Sequence, residues 1–131
     1  MKPGTARTEI TASLIVFGSS ASYDEIAKYV VGGPISFWKK GEAVQGSRIT
    51  RKEDGWKLDS TSPRACPLAE HVDRILGCID PNLPLRAASI RLSVAAYVYG
   101  LDRPPLRINA DAVRKLADLG AEIDIDLYNL P

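Results

Sequence analysis

Asp124 and Asp126 stand two residues apart in a stretch that alternates acidic and apolar side chains, Glu122-Ile123-Asp124-Ile125-Asp126-Leu127-Tyr128. On a β-strand that spacing projects both carboxylates from one face, and Glu122 extends the stripe. Side-by-side carboxylates can hold a divalent cation, share a proton, or clamp an arginine or lysine. The simpler reading is charge balance across the sheet by Arg91 or Arg107. His71 is the only histidine. Imidazole can serve as a base or a metal ligand, but no His-x-x-x-His or Cys-x-x-Cys pairs with it. Its spacing from Leu68 and Ile75 places it instead on the buried stripe of a helix, as a satisfied structural residue.

The remaining reactive or aromatic residues form no complete constellation. Cys66 falls at the expected N-cap of the same helix, where the helix end can lower a thiol pKa. No Asn or Asp motif completes a Cys-His nucleophile. Trp38 and Trp56 bracket a long polar loop and read either as an aromatic clamp or, more simply, as anchors of a hairpin to the core. Tyr97, Tyr99 and Tyr128 are of the type that stacks bases on the sheets of single-strand RNA readers. The acidic stripe beside them would repel phosphates, which argues against nucleic acid. Lys39, Lys40, Arg48, Arg51 and Lys52 make the loop locally basic, as solvation alone explains. The glycines read as helix stops rather than as a phosphate-binding loop. No catalytic residue, metal ligand or cofactor is assigned.

The elements that must position these residues repeat. Leu14-Ile15-Val16-Phe17-Gly18 leads to Ser22, an apolar-periodic run Asp24–Val31, Gly32 and Ile35-Ser36-Phe37-Trp38. Ala96-Tyr97-Val98-Tyr99-Gly100 leads in the same way to Asn109, Asp111–Leu119, Gly120 and Ile123–Tyr128. Each copy reads strand, glycine loop, capped helix, glycine, strand. Ser22 with Glu25 has the form of a capping box, and Gly32-Gly33-Pro34 stops that helix. Strands are expected at about Ile10–Phe17, Ile35–Lys40, Trp56–Ser60, Ile90–Tyr99, Leu106–Ile108 and Glu122–Tyr128. Gly41–Gly55 is expected as a long exposed loop. Pro67 suits the first turn of the middle helix, which carries Leu68, His71, Val72, Ile75 and Ile79 on one stripe and ends at Asp80-Pro81. An extra turn is expected over Pro84–Ser89.

The expected order is β-α-β-β-α-β-β-α-β. Its first six elements follow the ferredoxin-like pattern. The fold class is therefore α+β, with a single mixed, mainly antiparallel sheet and three helices on one face. The helices should cover the Ile/Leu/Val face of the first, fourth and last strands. The other face should hold Ser13, Phe17, Arg91, Tyr97, Tyr99, Asp124, Asp126 and Tyr128.

Composition bounds the rest. At 131 residues, with 45% hydrophobic and 25% charged residues, the chain suits one globular domain. Residues 1–8 read as a flexible tail and 9–131 as that domain. The net charge of +1 supplies no global attraction to nucleic acid or anionic membrane. No apolar run approaches the ~20 residues that span a bilayer, and the start lacks the apolar run of a secretion signal. Cys66 and Cys78 lie near opposite ends of one helix, roughly 18 Å apart and beyond disulfide reach. A reduced, cytoplasmic setting follows.

Five short motifs in order carry a family resemblance. They are Trp38-Lys39-Lys40-Gly41-Glu42, Gly55-Trp56-Lys57-Leu58-Asp59-Ser60, Leu68-Ala69-Glu70-His71-Val72 with Ile75-Leu76, Tyr97-Val98-Tyr99, and Leu116–Tyr128. Over about residues 10–130 the chain resembles the mainly bacterial domain-of-unknown-function family forty-two seventy-nine. The resemblance implies no activity, ligand or catalytic residue. The residues themselves point to a non-catalytic binding module for a protein partner. Its candidate binding residues are Arg91, Tyr97, Tyr99, Asp124, Asp126, Tyr128 and Trp38. The alternative is a small-ligand binder or enzyme built on the Asp124/Asp126 pair. The sequence leaves the oligomeric state open.

Overall fold

Strict alternation of apolar and polar residues makes the first strand. In β1 (Glu9–Phe17), Ile10, Ala12, Leu14 and Val16 are buried while the residues between them stay half-exposed. The same alternation runs through β4 (Ser89–Tyr99), which buries Ile90, Leu92, Val94, Ala96 and Val98. Such a two-faced pattern is stable only when helices cover the apolar face. The computed structural model describes residues 7–19, 21–83 and 89–131, and in it the strands β1, β2 (Ile35–Trp38), β3 (Gly55–Asp59), β4 and β5 (Ala121–Leu130) form one sheet. The sheet order is β2-β3-β1-β4-β5, with β4 and β5 parallel and every other pair antiparallel.

Three helices contribute to one core. Ile26 of α1 (Tyr23–Ala27), Leu68, Val72 and Ile75 of α2 (Leu68–Gly77), and Ala112 and Leu116 of α3 (Ala110–Leu119) join a single buried cluster with the apolar rows of β1 and β4. The caps act as the sequence indicates. The Ser22 hydroxyl accepts from the Glu25 N–H at 3.2 Å, and the Asn109 carboxamide accepts from the Ala112 N–H at 2.8 Å. Gly120 closes α3 in the left-handed conformation at φ 72°, which a Cβ would oppose.

Several boundaries differ from the sequence expectations, each for a backbone reason. α1 is five residues long and does not reach Val31. The chain after it is taken up by the end of α2: Val30 bridges Ile79, the Val31 N–H donates to the Cys78 carbonyl at 2.8 Å, and the Asp80 N–H donates to the Tyr29 carbonyl at 2.8 Å. α2 is capped by Pro67 rather than Cys66 and ends at Gly77, before Asp80-Pro81. The expected strand over Leu106–Ile108 does not form. Pro104 and Pro105, which lack N–H donors, immediately precede that segment. The observed order is therefore β-α-β-β-α-β-α-β, one strand fewer than expected. The loop after β2 is partly ordered, because Ala43 bridges Thr50 and the Val44 N–H donates to the Ile49 carbonyl at 2.8 Å. Of the turn expected over Pro84–Ser89, residues 84–88 lie outside the described residues, and Ser89 opens β4. Thr8 is buried and hydrogen-bonds the Asp102 carboxylate through both its N–H and its hydroxyl.

The two strand–helix–strand copies resolve differently. In the second, α3 joins the adjacent parallel strands β4 and β5 as a simple crossover. In the first, β3 is inserted between β1 and β2.

Candidate binding face of the sheet

Pairing register fixes what the uncovered face displays. One rung across the sheet sets Asp59 beside Ser13, Ser13 beside Ser93, and Ser93 beside Asp124. The next carries Thr11, Ala95 and Asp126, and the following one Glu9, Tyr97 and Tyr128. In the other direction come Lys57, Ile15, Arg91 and Glu122, and then Trp38, Gly55, Phe17 and Ser89. Successive rungs advance ~6.7 Å along the strands. The face is thus a floor of small side chains, Thr11, Ser13, Ser93 and Ala95, between an aromatic–arginine corner and a tyrosine wall. No helix packs on it among the described residues.

At the tyrosine wall, Tyr97 and Tyr128 stack with ring centroids 5.1 Å apart and planes 14° from parallel. The parallel in-register pairing of β4 and β5 produces this contact directly. Tyr99 lies one rung further, beside Leu130. At the opposite corner, Trp38 sits 6.3 Å from the Phe17 ring, with the Arg51 guanidinium 4.2 Å above the Trp38 ring centroid. Arg91 approaches the Phe17 ring at 5.6 Å and also pairs with Glu122 at 3.3 Å. Arg51 comes from the basic loop, so part of that loop's charge is directed onto the face.

The structure brings Arg91, Tyr97, Tyr99, Asp124, Asp126 and Tyr128 onto one face, whereas Trp38, at its far corner, is buried at 7% exposure with the Arg51 guanidinium over its ring and is not part of the accessible surface. It does not build an aromatic clamp from the two tryptophans. Trp38 pairs with Gly55 whereas Trp56 pairs with Phe37, so adjacent positions send the rings to opposite faces, and Trp56 is fully buried in the core. The charge balance expected for the acidic pair is also displaced. Arg91 takes Glu122, and among the described residues Asp124 and Asp126 form no salt bridge and no side-chain hydrogen bond. No group of three or more His, Cys, Asp or Glu residues is arranged to hold a metal among the described residues.

His71 is buried, at 1% exposure, with Nδ1 2.7 Å from the Ser60 hydroxyl. That hydroxyl also accepts from the Ser62 N–H at 3.2 Å, so its proton is available to Nδ1. Burial pushes the imidazole pKa down, opposed by the Glu70 charge. Nε2 has no hydrogen-bond partner among the described residues, so the histidine expected to be satisfied is so at one ring nitrogen only. Cys66 is not activated: its hydrogen bond to Glu70 and its loss of hydration push the thiol pKa up, since a neighbouring carboxylate disfavours a thiolate. Both cysteines are free.

One feature of β5 escaped the sequence reading. Its apolar row was expected under helices, yet Ile123, Ile125 and Leu127 are 43%, 38% and 54% exposed. Alternation signals which side a residue takes but not whether a helix reaches far enough to cover it. α3 turns Ala112 and Leu116 inward to the shared core, and the outermost strand stays bare. No helix among the described residues is long and apolar enough to cross a membrane.

The motifs that suggested a family lie where the sheet and α2 need them: Trp38 and Gly55 in contact, Trp56 and Leu58 in the core, Leu116 through Tyr128 closing the sheet. No curated protein and no solved structure matches the chain. A family match covers residues 8–130, nearly the whole chain, and the protein accordingly belongs to the family described as domain of unknown function DUF4279.

Proposed function

We propose that this domain is a non-catalytic module that binds a protein partner on the open face of its sheet, in a reducing, cytoplasmic setting. The observation that carries this reading is the Tyr97–Tyr128 stack. It stands beside two carboxylates that have no ion-pair partner among the described residues, on a face that no helix of the described residues covers, and Tyr128 is 47% exposed. Aromatic rings flanked by small and charged residues are typical anchors of protein interfaces. The first four strands, ordered β2-β3-β1-β4 and antiparallel throughout, support a ferredoxin-like reading of the first six elements, with α3 and β5 as an extension.

A photo-crosslinking amino acid placed at Tyr128 tests the proposal in cells of the native host. A discrete protein adduct is expected there, and none when the same group replaces Leu101, a control position at 89% exposure on a turn. Equal labelling at both positions would count against a face-specific partner. A second reading, a small-ligand site on the acidic pair, draws on the small neighbours Ser93 and Ala95, which leave the Asp124 and Asp126 carboxylates accessible.

A further inference from the structure

We propose that the free edge of β5 receives an extended segment of the partner as a sixth strand, and that this segment alternates apolar residues with lysine or arginine. The inference rests on the protein-binding reading and specifies its mode.

Three observations converge on the edge. First, β5 is ten residues long and, among the described residues, pairs on one side only, in an unbroken register with β4. Native sheets blunt such edges with charged side chains, lysine above all, or with proline, bulges or short strands; the charges of β5 are all acidic and all on one side, so they repel an acidic or identical strand and admit a basic one. The opposite edge, β2, follows that rule with four residues. β5 contains no lysine, arginine or proline between Ala121 and Leu130. Second, Ile123, Ile125 and Leu127 lie exposed on the helix side of the edge, so an added strand would find apolar contacts there. Third, Glu122, Asp124 and Asp126 lie on the other side. A strand laid against β5 would place alternate side chains beside each row, and charge complementarity makes the second set basic.

The same acidic row disfavours a second copy of this chain as the occupant. Antiparallel self-pairing about a two-fold axis sets Asp124 against Asp126 when centred on Ile125, Glu122 against Asp126 when centred on Asp124, and Asp126 against itself when centred on Asp126. Like charges directly opposite are destabilising. A register slid to Leu127 escapes this only by leaving Ala121, Glu122 and Ile123 without a mate within β5.

The test uses the full chain and a capped peptide of about ten residues alternating lysine with valine or isoleucine, long enough to match β5. Three controls accompany it: the scrambled sequence, a glutamate-for-lysine version, and a version N-methylated at alternate residues. Saturable binding is expected for the alternating basic peptide alone, with slowed hydrogen exchange confined to Ala121–Leu130. Asp124→Asn/Asp126→Asn should weaken it about tenfold, since each cross-strand charge pair contributes up to about fivefold. Ile123→Thr/Ile125→Thr, which keeps β-branched residues in the strand, should also weaken it. Equal binding of the N-methylated peptide, or protection elsewhere on the sheet, would overturn strand addition. Protection of β5 in a concentration-dependent dimer without peptide would overturn it in favour of self-association. If the Tyr128 crosslink forms while the peptide leaves β5 unprotected, the edge proposal fails and the binding face stands. Loss of the crosslink alone removes the face and leaves the peptide result to decide the edge.

Discussion

Gly55→Ala should be among the most damaging single-methyl additions to this protein, although Gly55 has no unusual backbone conformation. The reason is space. A Cβ built at Gly55 lies 2.5 Å and 2.6 Å from two carbons of the Trp38 ring, and 2.6 Å from the Val16 carbonyl oxygen. Carbon contacts are comfortable only near ~3.5–4.0 Å. The ring can swing away, at the cost of its contact with Phe17, about 0.5–1.5 kcal/mol, and of the Arg51 cation–π contact, about 0.5–1 kcal/mol. The carbonyl cannot swing, because β1 is held between β3 and β4. The strand must shift, which typically costs about 1–3 kcal/mol. Together these give a loss of about 2–5.5 kcal/mol. Urea denaturation measures it, and fluorescence reports the displacement of the ring, because both tryptophans of the protein are buried, Trp56 at 0% and Trp38 at 7% exposure, and only Trp38 meets the new methyl. Red-shifted, more quenchable emission from Trp38 is expected. In a Trp38→Ala background Gly55→Ala should still cost about 1–3 kcal/mol, the part due to the carbonyl. A loss below about 1 kcal/mol in the parent protein, with unchanged emission, would refute the packing argument.

His71→Ala should cost about 1–3 kcal/mol, by leaving the Ser60 hydroxyl without its partner. Because burial lowers the His71 pKa from 6.5, the unfolded chain takes up the proton first as pH falls. Stability should therefore decline from about pH 6.5 down to the lowered folded value and show no further loss from this group below it. Chemical denaturation at several pH values should show that slope flattened in the variant. Added Mg²⁺, Ca²⁺ or Mn²⁺ should leave the melting temperature unchanged; a saturable rise that disappears in Asp124→Asn/Asp126→Asn would favour the ligand-site reading. Replacing Tyr97 and Tyr128 with alanine should cost only about 1 kcal/mol, the scale of one aromatic pair. Unfolding of that double variant would show that the rings are structural.

Much of this arrangement was legible because strands speak in a period of two. The faces of β1 and β4, and the shared side of Arg91, Tyr97, Asp124, Asp126 and Tyr128, follow from alternation alone. Ser22, Asn109 and Gly120 marked helix ends because their side chains, or the lack of one, act locally. What the sequence hid was non-local. Nothing in Tyr29-Val30-Val31 announces that its backbone will bond the end of α2 and shorten α1. Leu106–Ile108 has the composition of a strand but pairs with no strand among the described residues, although Ile108 packs on the core. Arg91 had several acids within reach in sequence terms, and only the parallel register of β4 with β5 selects Glu122. The partner of Gly55 could be inferred only once β2 and β3 were paired.

The central place of β1 constrains how the chain can assemble. It is made before both its neighbours, β3 at residues 55–59 and β4 at residues 89–99. Until β4 emerges from the ribosome, the apolar row Ile10, Ala12, Leu14 and Val16 has one open flank and no complete lid. Closing that gap joins residues far apart in sequence, from Phe17 with its mate Ser89 to Glu9 with its mate Tyr97, and such distant pairings are slow to form. Nascent chains halted between β3 and β4 should therefore be sticky and protease-sensitive. Two fragments separated within the loop 39–54 should each be unfolded alone and regain structure only when mixed.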